Sequence, residues 1–347
     1  MKNLLITGGA GFIGTNFVKI MNKYKKDVNC IIVDKLSYAS KYENIKNYID
    51  GKNFFFYEDD ITNYKNLNII FQKHNIDSLI NFAAESHVDN SIDKPIDFIN
   101  SNIFGTYNLL KISLDHWKNS LKENIFFQIS TDEVFGSLSS NESSNKETSK
   151  YDPKNPYSAS KASSDMLIRA FSNTYDLNYI ITHSCNNYGN YQNTEKFIPL
   201  IIQNILKGLP LPIYGDGRNI REWIHVDDNC KAIIELLFKG SRNNSYNISS
   251  DFEISNIDLA LLICKKMDEF LLQNTHLNNI YPKTPIFNNN KSSKLIEYVE
   301  DRKGHDFKYS LDCKKLKDEI NFRCDVEFED GLKKTIRWYI ANYNWWI

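Results

Sequence analysis

No apolar run in this chain reaches the length of a membrane span. No targeting leader is visible, because Met1-Lys2-Asn3 passes at once into a strand pattern. A signal peptide needs a longer apolar segment and a small-residue cleavage site. Charge of one sign is missing too. The formal net charge is −1, with acids and bases interspersed. That excludes a basic field for nucleic acid and an acidic solvating tail. The six cysteines form no C-x-x-C pair, and several lie inside apolar runs. Packed, reduced thiols are expected, not a disulfide framework of the small secreted kind. There is no internal repeat, and no metal site is expected. The absences predict a soluble, cytoplasmic protein. A length of 347 residues suits one large α/β unit with a smaller lobe.

What is present begins at the N-terminus. Leu4-Leu5-Ile6 reads as a strand, Thr7 to Gly14 as a glycine-rich turn, and the following residues as a helix with Phe17, Val18, Ile20 and Met21 on one side. This is the context a dinucleotide-binding fingerprint requires. Gly8 permits the tight turn, Gly11 lets a pyrophosphate approach the helix N-terminus, and Gly14 allows close packing. A second strand, Cys30 to Val33, ends in Asp34, 20 residues past Gly14. A carboxylate there accepts ribose hydroxyls and repels a 2′-phosphate, so NAD is favoured. The adjacent Lys35 leaves NADP open. Phe54 to Tyr57 is a third strand closed by Asp59-Asp60-Ile61, where an acid can reach an adenine edge or merely cap a turn. Ser78 to Phe82 is a fourth, followed by the small pair Ala83-Ala84 and by Ser86 and His87. Alone, His87 reads as a hydrogen-bonded loop residue.

A long helical pattern from Ile96 to Trp117 contains Asn102. The apolar run Ile125 to Ile129 then delivers Ser130-Thr131-Asp132-Glu133-Val134-Phe135-Gly136 to a strand end. Ligands of open α/β sheets sit there, and two adjacent carboxylates are acid–base material. Next, Tyr157 and Lys161 stand four apart at the start of a helix and share one face. An ammonium beside a phenol lowers the phenol pKa, so this tyrosine could take a proton from an alcohol that gives hydride to nicotinamide.

From about residue 186 the long α/β alternation weakens. Short strands, loops and a helix from Asn229 to Phe238 suggest a second lobe. Its basic residues Lys196, Arg218 and Arg221 could meet a diphosphate or simply face solvent. Residues 273–293 are polar and read as an extended loop. An amphipathic helix through Leu332, Ile336 and Tyr339 precedes Trp345 and Trp346.

Taken together, Thr7–Gly14 with Asp34–Ala39, Ala83–Asp89, Ser130–Gly136, Tyr157–Asp165, Asn186–Gly189, Glu195–Pro199, Ile213–Val226 and Asp301–Asp306 resemble, in order and over nearly the whole chain, the nucleoside-diphosphate-glucose 4,6-dehydratases among the extended short-chain dehydrogenase/reductases. The resemblance implies a Rossmann-type doubly wound parallel sheet, residues 1–185, and a smaller mixed α/β C-terminal lobe, 186–347, that holds a nucleotide-sugar and returns some segments to the sheet. It implies a bound NAD, reduced and reoxidised in each turnover, touching Gly8, Gly11, Phe12, Ile13, Gly14, Asp34, Lys35, Ser37, Asp60, Ile61, Ala83, Ala84, Ser86, Asn102, Tyr157 and Lys161. Tyr157 with Lys161 takes the proton of the sugar 4-hydroxyl, and Thr131 bonds the 4-oxygen. Glu133 removes the C5 proton and Asp132 protonates the departing 6-hydroxyl. Ser86, His87, Thr131, Asn186, Glu195, Lys196, Arg221, Asn256, Arg302 and His305 surround the dTDP- or UDP-glucose. A homodimer through helices near 100–118 and 157–174 is implied as well, and a place early in rhamnose or other 6-deoxysugar synthesis.

The chain departs from that family at Asn190 and Lys303, where proline is usual, and in a longer 273–293 segment. These leave the chemistry alone and the base, thymine or uracil, open. Two other readings compete. A sugar 4-epimerase or decarboxylase of the same fold shares Tyr157 and Lys161 but not the Asp132-Glu133 pair. A non-enzymatic NAD-binding protein has no need of the full Tyr, Lys, Thr, Asp, Glu set.

Overall fold

The structure is a computed structural model, and it describes residues 1–24 and 27–346. In chain order the first half comprises β1 (Asn3–Thr7), α1 (Phe12–Tyr24), β2 (Asn29–Asp34), β3 (Phe54–Glu58), α2 (Tyr64–His74), β4 (Ser78–Asn81), α3 (Val88–Asp93), α4 (Pro95–Phe98), a π-helical stretch Ile99–Phe104, α5 (Gly105–Trp117), β5 (Ile125–Thr131), α6 (Pro156–Tyr175) and β6 (Tyr179–Ser184). The second half comprises β7 (Asn186–Tyr188), α7 (Phe197–Lys207), β8 (Leu211–Tyr214), β9 (Ile220–His225), α8 (Val226–Lys239), β10 (Asn244–Ile248), β11 (Glu253–Ser255), α9 (Asn256–Gln273), β12 (Ile296–Val299), α10 (Lys314–Ile320), α11 (Phe328–Ala341) and α12 (Tyr343–Trp346).

Seven strands form one sheet in the order β10-β6-β5-β4-β1-β2-β3, with every neighbouring pair parallel. The order reverses between β1 and β4, so a crevice opens above their carboxyl ends. β5 is buried along its whole length, as expected of a parallel strand covered on both faces. Each of its fully buried Ile and Phe side chains contributes roughly 1.5–3 kcal/mol. A row of buried polar groups crosses the sheet. Thr7 Oγ1 donates to Asn81 Oδ1 at 2.6 Å, and Asn81 Nδ2 donates to its register partner Gln128 at 2.9 Å. A buried hydrogen-bonded row of this kind favours one register, and so sets which residues emerge at the strand ends, although Gln128 Nε2 is left without a partner.

The seventh strand, β10, comes from beyond residue 186. The segment Val226–Ile248 therefore belongs to the sheet side, with α8 packed on α1. α10 also packs on the sheet side, against β10 and α8, and the other second-half elements make a separate core of Ile198, Ile202, Trp223, Leu259, Met267 and Leu332 with two small sheets, β11-β9-β7 and β12-β8.

Three local expectations change. The helix from Ile96 to Trp117 is interrupted by a π turn that carries Asn102. Residues 273–293 are no open loop. They form short 3₁₀ turns with Tyr281, Thr284 and Pro285 buried, and Tyr281 Oη donates to Ile340 O at 2.7 Å. The polar composition hid a few anchoring side chains. The helix expected from Asn229 begins at Val226, where His225 caps it. The six cysteines are free thiols. Among the described residues no helix is long and apolar enough to cross a membrane.

The C-terminus reaches back to the sheet lobe. Trp345 Nε1 donates to Asn44 Oδ1 at 2.7 Å, and Asn44 Nδ2 donates to Ala10 O at 3.2 Å. The last helices therefore brace the glycine-rich turn.

Candidate active site

At the crevice, Gly8 takes φ +68°, a conformation that side chains rarely adopt, and a Cβ there would lie 2.6 Å from Ala83 N. A Cβ on Gly14 would lie 2.2 Å from Gly8 O. At Gly11 the nearest contact would be Gly8 O at 3.4 Å, so the third glycine borders space and not packing. Asp34 is buried at the end of β2. Its oxygens accept from Ala10 N (2.9 Å), Leu36 N (2.9 Å) and Ser40 Oγ (2.8 Å). A carboxylate offers about four acceptor sites, so roughly one is left for a ribose hydroxyl. Lys35 turns to Glu85 at 2.9 Å and Asp60 at 3.9 Å. Its charge is thereby committed, which weakens the NADP reading.

A cavity of about 220 Å³ is lined by Gly8, Gly11, Phe12, Ile13, Gly14, Asp34, Lys35, Ser37, Asp60, Ile61, Ala83, Ala84, Ser86, Tyr157 and Lys161. These are the residues expected around NAD, with one exception. Asn102 does not border the cavity. Its amide is taken by the backbone of Glu85 (2.8 and 3.0 Å) and by Ser160 Oγ (2.8 Å), so it shapes the 83–86 loop from behind. A glycine cradle with room where a Cβ would be, the N-terminus of α1 and a carboxylate one strand over are what a dinucleotide needs. The residues fit NAD.

The end of β5 turns sharply. Thr131 caps a 3₁₀ turn, Asp132–Phe135, and Gly136 at φ 77° ends it. The Thr131 hydroxyl donates to Asp132 Oδ1 at 3.0 Å and accepts from Glu133 N at 3.3 Å. Asp132 is 3% exposed, and its Oδ2 has no partner. Burial, then the neighbouring Glu133, pushes the Asp132 carboxyl up to about 8. Glu133 is raised as well, by burial, against the pull of Asn155 and Arg221. The pair thus holds one carboxyl that keeps its proton at neutral pH beside a second that opens onto a cleft. Asn155 links this pair to α6. Its Oδ1 caps the helix at Ser158 N (2.9 Å) while its Nδ2 donates to Glu133 Oε2 (3.3 Å).

Tyr157 and Lys161 both border the cofactor cavity, but the expected phenol–ammonium contact is absent. Burial, then Glu133, raises the Tyr157 phenol, opposed by the Thr131 hydroxyl. Lys161 Nζ donates to Ile129 O at 2.6 Å, and burial pulls its pKa down to about 8. The lysine points along β5 instead of along the helix, so the two groups can cooperate only through what lies between them in the cavity.

A second cleft, about 370 Å³, adjoins the first and shares Ser86, Glu195 and Lys196 with it. His87, Glu133, Asn186, Arg221, Asn256, Arg302 and His305 line it. Thr131 and Asp132 do not. They are buried directly behind Glu133, because the Thr131 hydroxyl is used to shape the turn. The sequence reading missed Asp89, Asn155, Tyr214 and Tyr309, which line this cleft. Asp89 accepts from Arg302 through both oxygens (2.6 and 2.9 Å) and from Tyr214 Oη (3.3 Å). Asp89 closes the Ala83–Asp89 segment, but nothing in spacing ties it to an arginine 213 residues on. Arg221 donates to the carbonyls of Ile220, Phe307 and Asp306 at 2.7–3.2 Å and stacks on Tyr309. His305 is bonded to Asp301 at 2.7 Å. Burial lowers the pKa of His87 and of His305, so both stay neutral hydrogen-bonding groups.

Comparison with known proteins agrees with this geometry. The family model described as GDP-mannose 4,6 dehydratase matches residues 5–335. A dTDP-glucose 4,6-dehydratase of Haemophilus influenzae is 41% identical over 346 residues, covering 99% of each chain. The crystal structure of the dTDP-glucose 4,6-dehydratase of Bacillus anthracis in complex with NAD superposes with a TM-score of 0.85 at 36% identity, covering 100% of this chain and 99% of that one. DesIV, a dTDP-glucose 4,6-dehydratase of Streptomyces venezuelae with NAD and TYD bound, superposes with a TM-score of 0.87 at 38% identity, covering 99% and 98%. A glycine cradle, a buried proton-holding aspartate beside a glutamate, and full-length similarity of this degree place the chain in the nucleotide-sugar 4,6-dehydratase family of extended short-chain dehydrogenase/reductases.

Proposed function

We propose that this chain is an NAD-dependent hydro-lyase of the cytoplasm that converts dTDP-glucose to its 4-keto-6-deoxy product. The observation that carries the reading is the Asp132–Glu133 pair. Loss of water across C5–C6 needs a base at one carbon and an acid at the next, and two carboxyls whose surroundings set them apart can divide those tasks. A 4-epimerase of the same fold requires neither.

NAD held by the Gly8–Gly14 turn and Asp34 would supply a reversible hydride acceptor for the oxidation at C4 and the reduction at C6. Tyr157 receives the 4-hydroxyl proton. Its phenol stands high in the chain alone, so Lys161 and the positive cofactor must lower it when the cavity is filled. The resulting ketone acidifies C5–H, and Glu133, open to the sugar cleft, removes that proton. Asp132, whose Oδ2 has no partner in the free chain, gives its proton to the 6-hydroxyl as water leaves, once the bound sugar reaches past Glu133 to the strand end. Glu133 then returns a proton to C5. Thr131 holds the acid in place and can reach the 4-oxygen only once the sugar is pressed against the strand end. Arg302, Arg221 and Lys196 line the cleft that receives the diphosphate, with Asp89 as the resting partner of Arg302.

Incubation of the holoenzyme with dTDP-glucose and, separately, UDP-glucose tests this. The 4-keto-6-deoxy product should appear with dTDP-glucose, read by its absorbance in alkali. A 4-epimer, or no product from either sugar, would overturn the reading. We further propose a homodimer. Ile96, Ile99, Phe104 and Tyr107 on one helical stretch, and Met166 and Tyr175 on α6, are exposed apolar residues, and a matching face on a second copy would cover them. A monomeric mass in sedimentation would refute it.

A further inference from the structure

Behind the catalytic strand lies a buried cluster that the mechanism above does not use. Asp165 follows Lys161 by one helical turn on α6 and has no exposed surface. Its Oδ2 accepts from Ser130 Oγ at 2.7 Å and from Tyr151 Oη at 3.1 Å, and lies 3.4 Å from His183 Nε2. Tyr151 Oη and His183 Nε2 are 2.8 Å apart, and Arg169 Nη2 donates to Tyr151 Oη at 3.2 Å. Asp165 Oδ1 and His183 Nδ1 have no partner. Packing alone does not call for such a group. A buried carboxylate with an unpaired oxygen is costly, and a fully satisfied amide would bridge the same strands at lower cost.

What the carboxylate supplies is charge and position at the place where the reaction needs both. Ser130, its shortest partner, borders the cofactor cavity and precedes Thr131-Asp132-Glu133. On the other side, Lys161 is 4% exposed, and among the described residues its one hydrogen bond is to a neutral carbonyl. We propose that Asp165 is a positioning residue of this reaction, which keeps the Lys161 ammonium charged inside the fold and anchors the end of β5 through Ser130. The inference rests on the dehydratase reading. Asp165 opposes the burial that lowers the lysine pKa. The other groups facing this pocket are Tyr157 and Arg169 from α6, Ser130 from β5, the carboxyls of Asp132 and Glu133 from the turn after it, His183 from β6, and Tyr151 from the loop before α6. Arg169 is turned away, to Tyr151 and Ser245. Asp132 keeps its proton and Glu133 opens onto the sugar cleft, so Asp165 is the buried counter-charge one helical turn from Lys161.

The test uses holoenzyme with dTDP-6-deoxyglucose, which lacks the leaving hydroxyl. Only oxidation at C4 can then occur, so the readout is NADH absorbance in a single turnover and Asp132 is not required. Asp165→Asn should slow NADH formation about tenfold at neutral pH and move its alkaline fall-off down by about one pH unit. The same substitution in a Lys161→Met background should add almost nothing. Asp165→Glu disturbs the same contacts but retains the charge, so its fall-off should stay with the wild type. If Asp165→Asn does not fold, the glutamate variant decides. A fall-off displaced in Asp165→Glu, or unmoved in a folded Asp165→Asn, would overturn the proposal. A wild-type protein inactive on dTDP-glucose would instead count against the dehydratase reading.

Discussion

The two clefts are built from the chain in opposite ways. The cofactor cavity is a repetition of one local rule. Gly8–Gly14 follows β1, Asp34–Ser40 follows β2, Asp59–Ile61 follows β3 and Phe82–Ser86 follows β4. The sugar cleft draws on His87–Asp89, Glu133, Asn155, Asn186, Glu195–Leu200, Arg221–Trp223, Asn256 and Arg302–Tyr309. Its charges are held by one another across the two lobes, as in the bidentate Asp89–Arg302 pair. A site made at consecutive strand ends is a property of the sheet. A site made of distant charges is a property of how the second lobe sits on it. Lesions in the first should therefore strip the cofactor, and lesions in the second should spare it.

The sharpest test lies where the clefts meet. Glu133→Gln should retain NAD and still form NADH at C4, yet lower dehydration about 10²–10⁴-fold, measured by product formation and by C5 hydrogen exchange with solvent. If dehydration were unchanged, the base would have to lie in the cofactor half. Gly14→Ala drives a Cβ to 2.2 Å from Gly8 O. It should cost about 1–3 kcal/mol of stability and yield protein without NAD, read by thermal melting and by absorbance of the denatured extract. Arg302→Ala should leave NAD content untouched and raise KM for the nucleotide-sugar roughly ten- to a hundredfold, the worth of charged hydrogen bonds at 1.5–3 kcal/mol. Loss of NAD in that variant would dissolve the distinction between the clefts. The mildest effect is on pH. Asp132 must be protonated to act as the acid, and its carboxyl is held at about 8. The dehydration rate should hold below that value and fall tenfold per unit above it. Formation of NADH from the 6-deoxy analogue falls with Lys161 instead, so Asp132→Asn should abolish dehydration yet leave that fall-off in place.

The same contrast explains what could be read in advance. Of the residues expected around NAD, only Asn102 fails to border the cavity, because a π turn directs its amide into the 83–86 loop. The expected sugar-site residues largely converge, but their company was not visible. Asn155 looks like a helix cap and is one, yet its second hydrogen bond reaches Glu133. Asp89 looks like one more loop acid until Arg302 arrives from 213 residues away. Tyr157 and Lys161 share a helix face, but spacing could not tell that the lysine would turn to Ile129 O.

By itself the sequence determined the parallel sheet, the nucleotide-binding turn, the carboxylate at the end of β2 and the chemical types at the end of β5. Those follow from periodicity, glycine and strand-end position, all of them local. Only the tertiary structure decided the protonation of Asp132, the direction of Lys161, the pairing of Asp89 with Arg302 and the clasp of Trp345 on Asn44. Each of these depends on burial and on partners distant in the chain. Desolvation and charge act through space, and the chain brings those groups together only when it is folded.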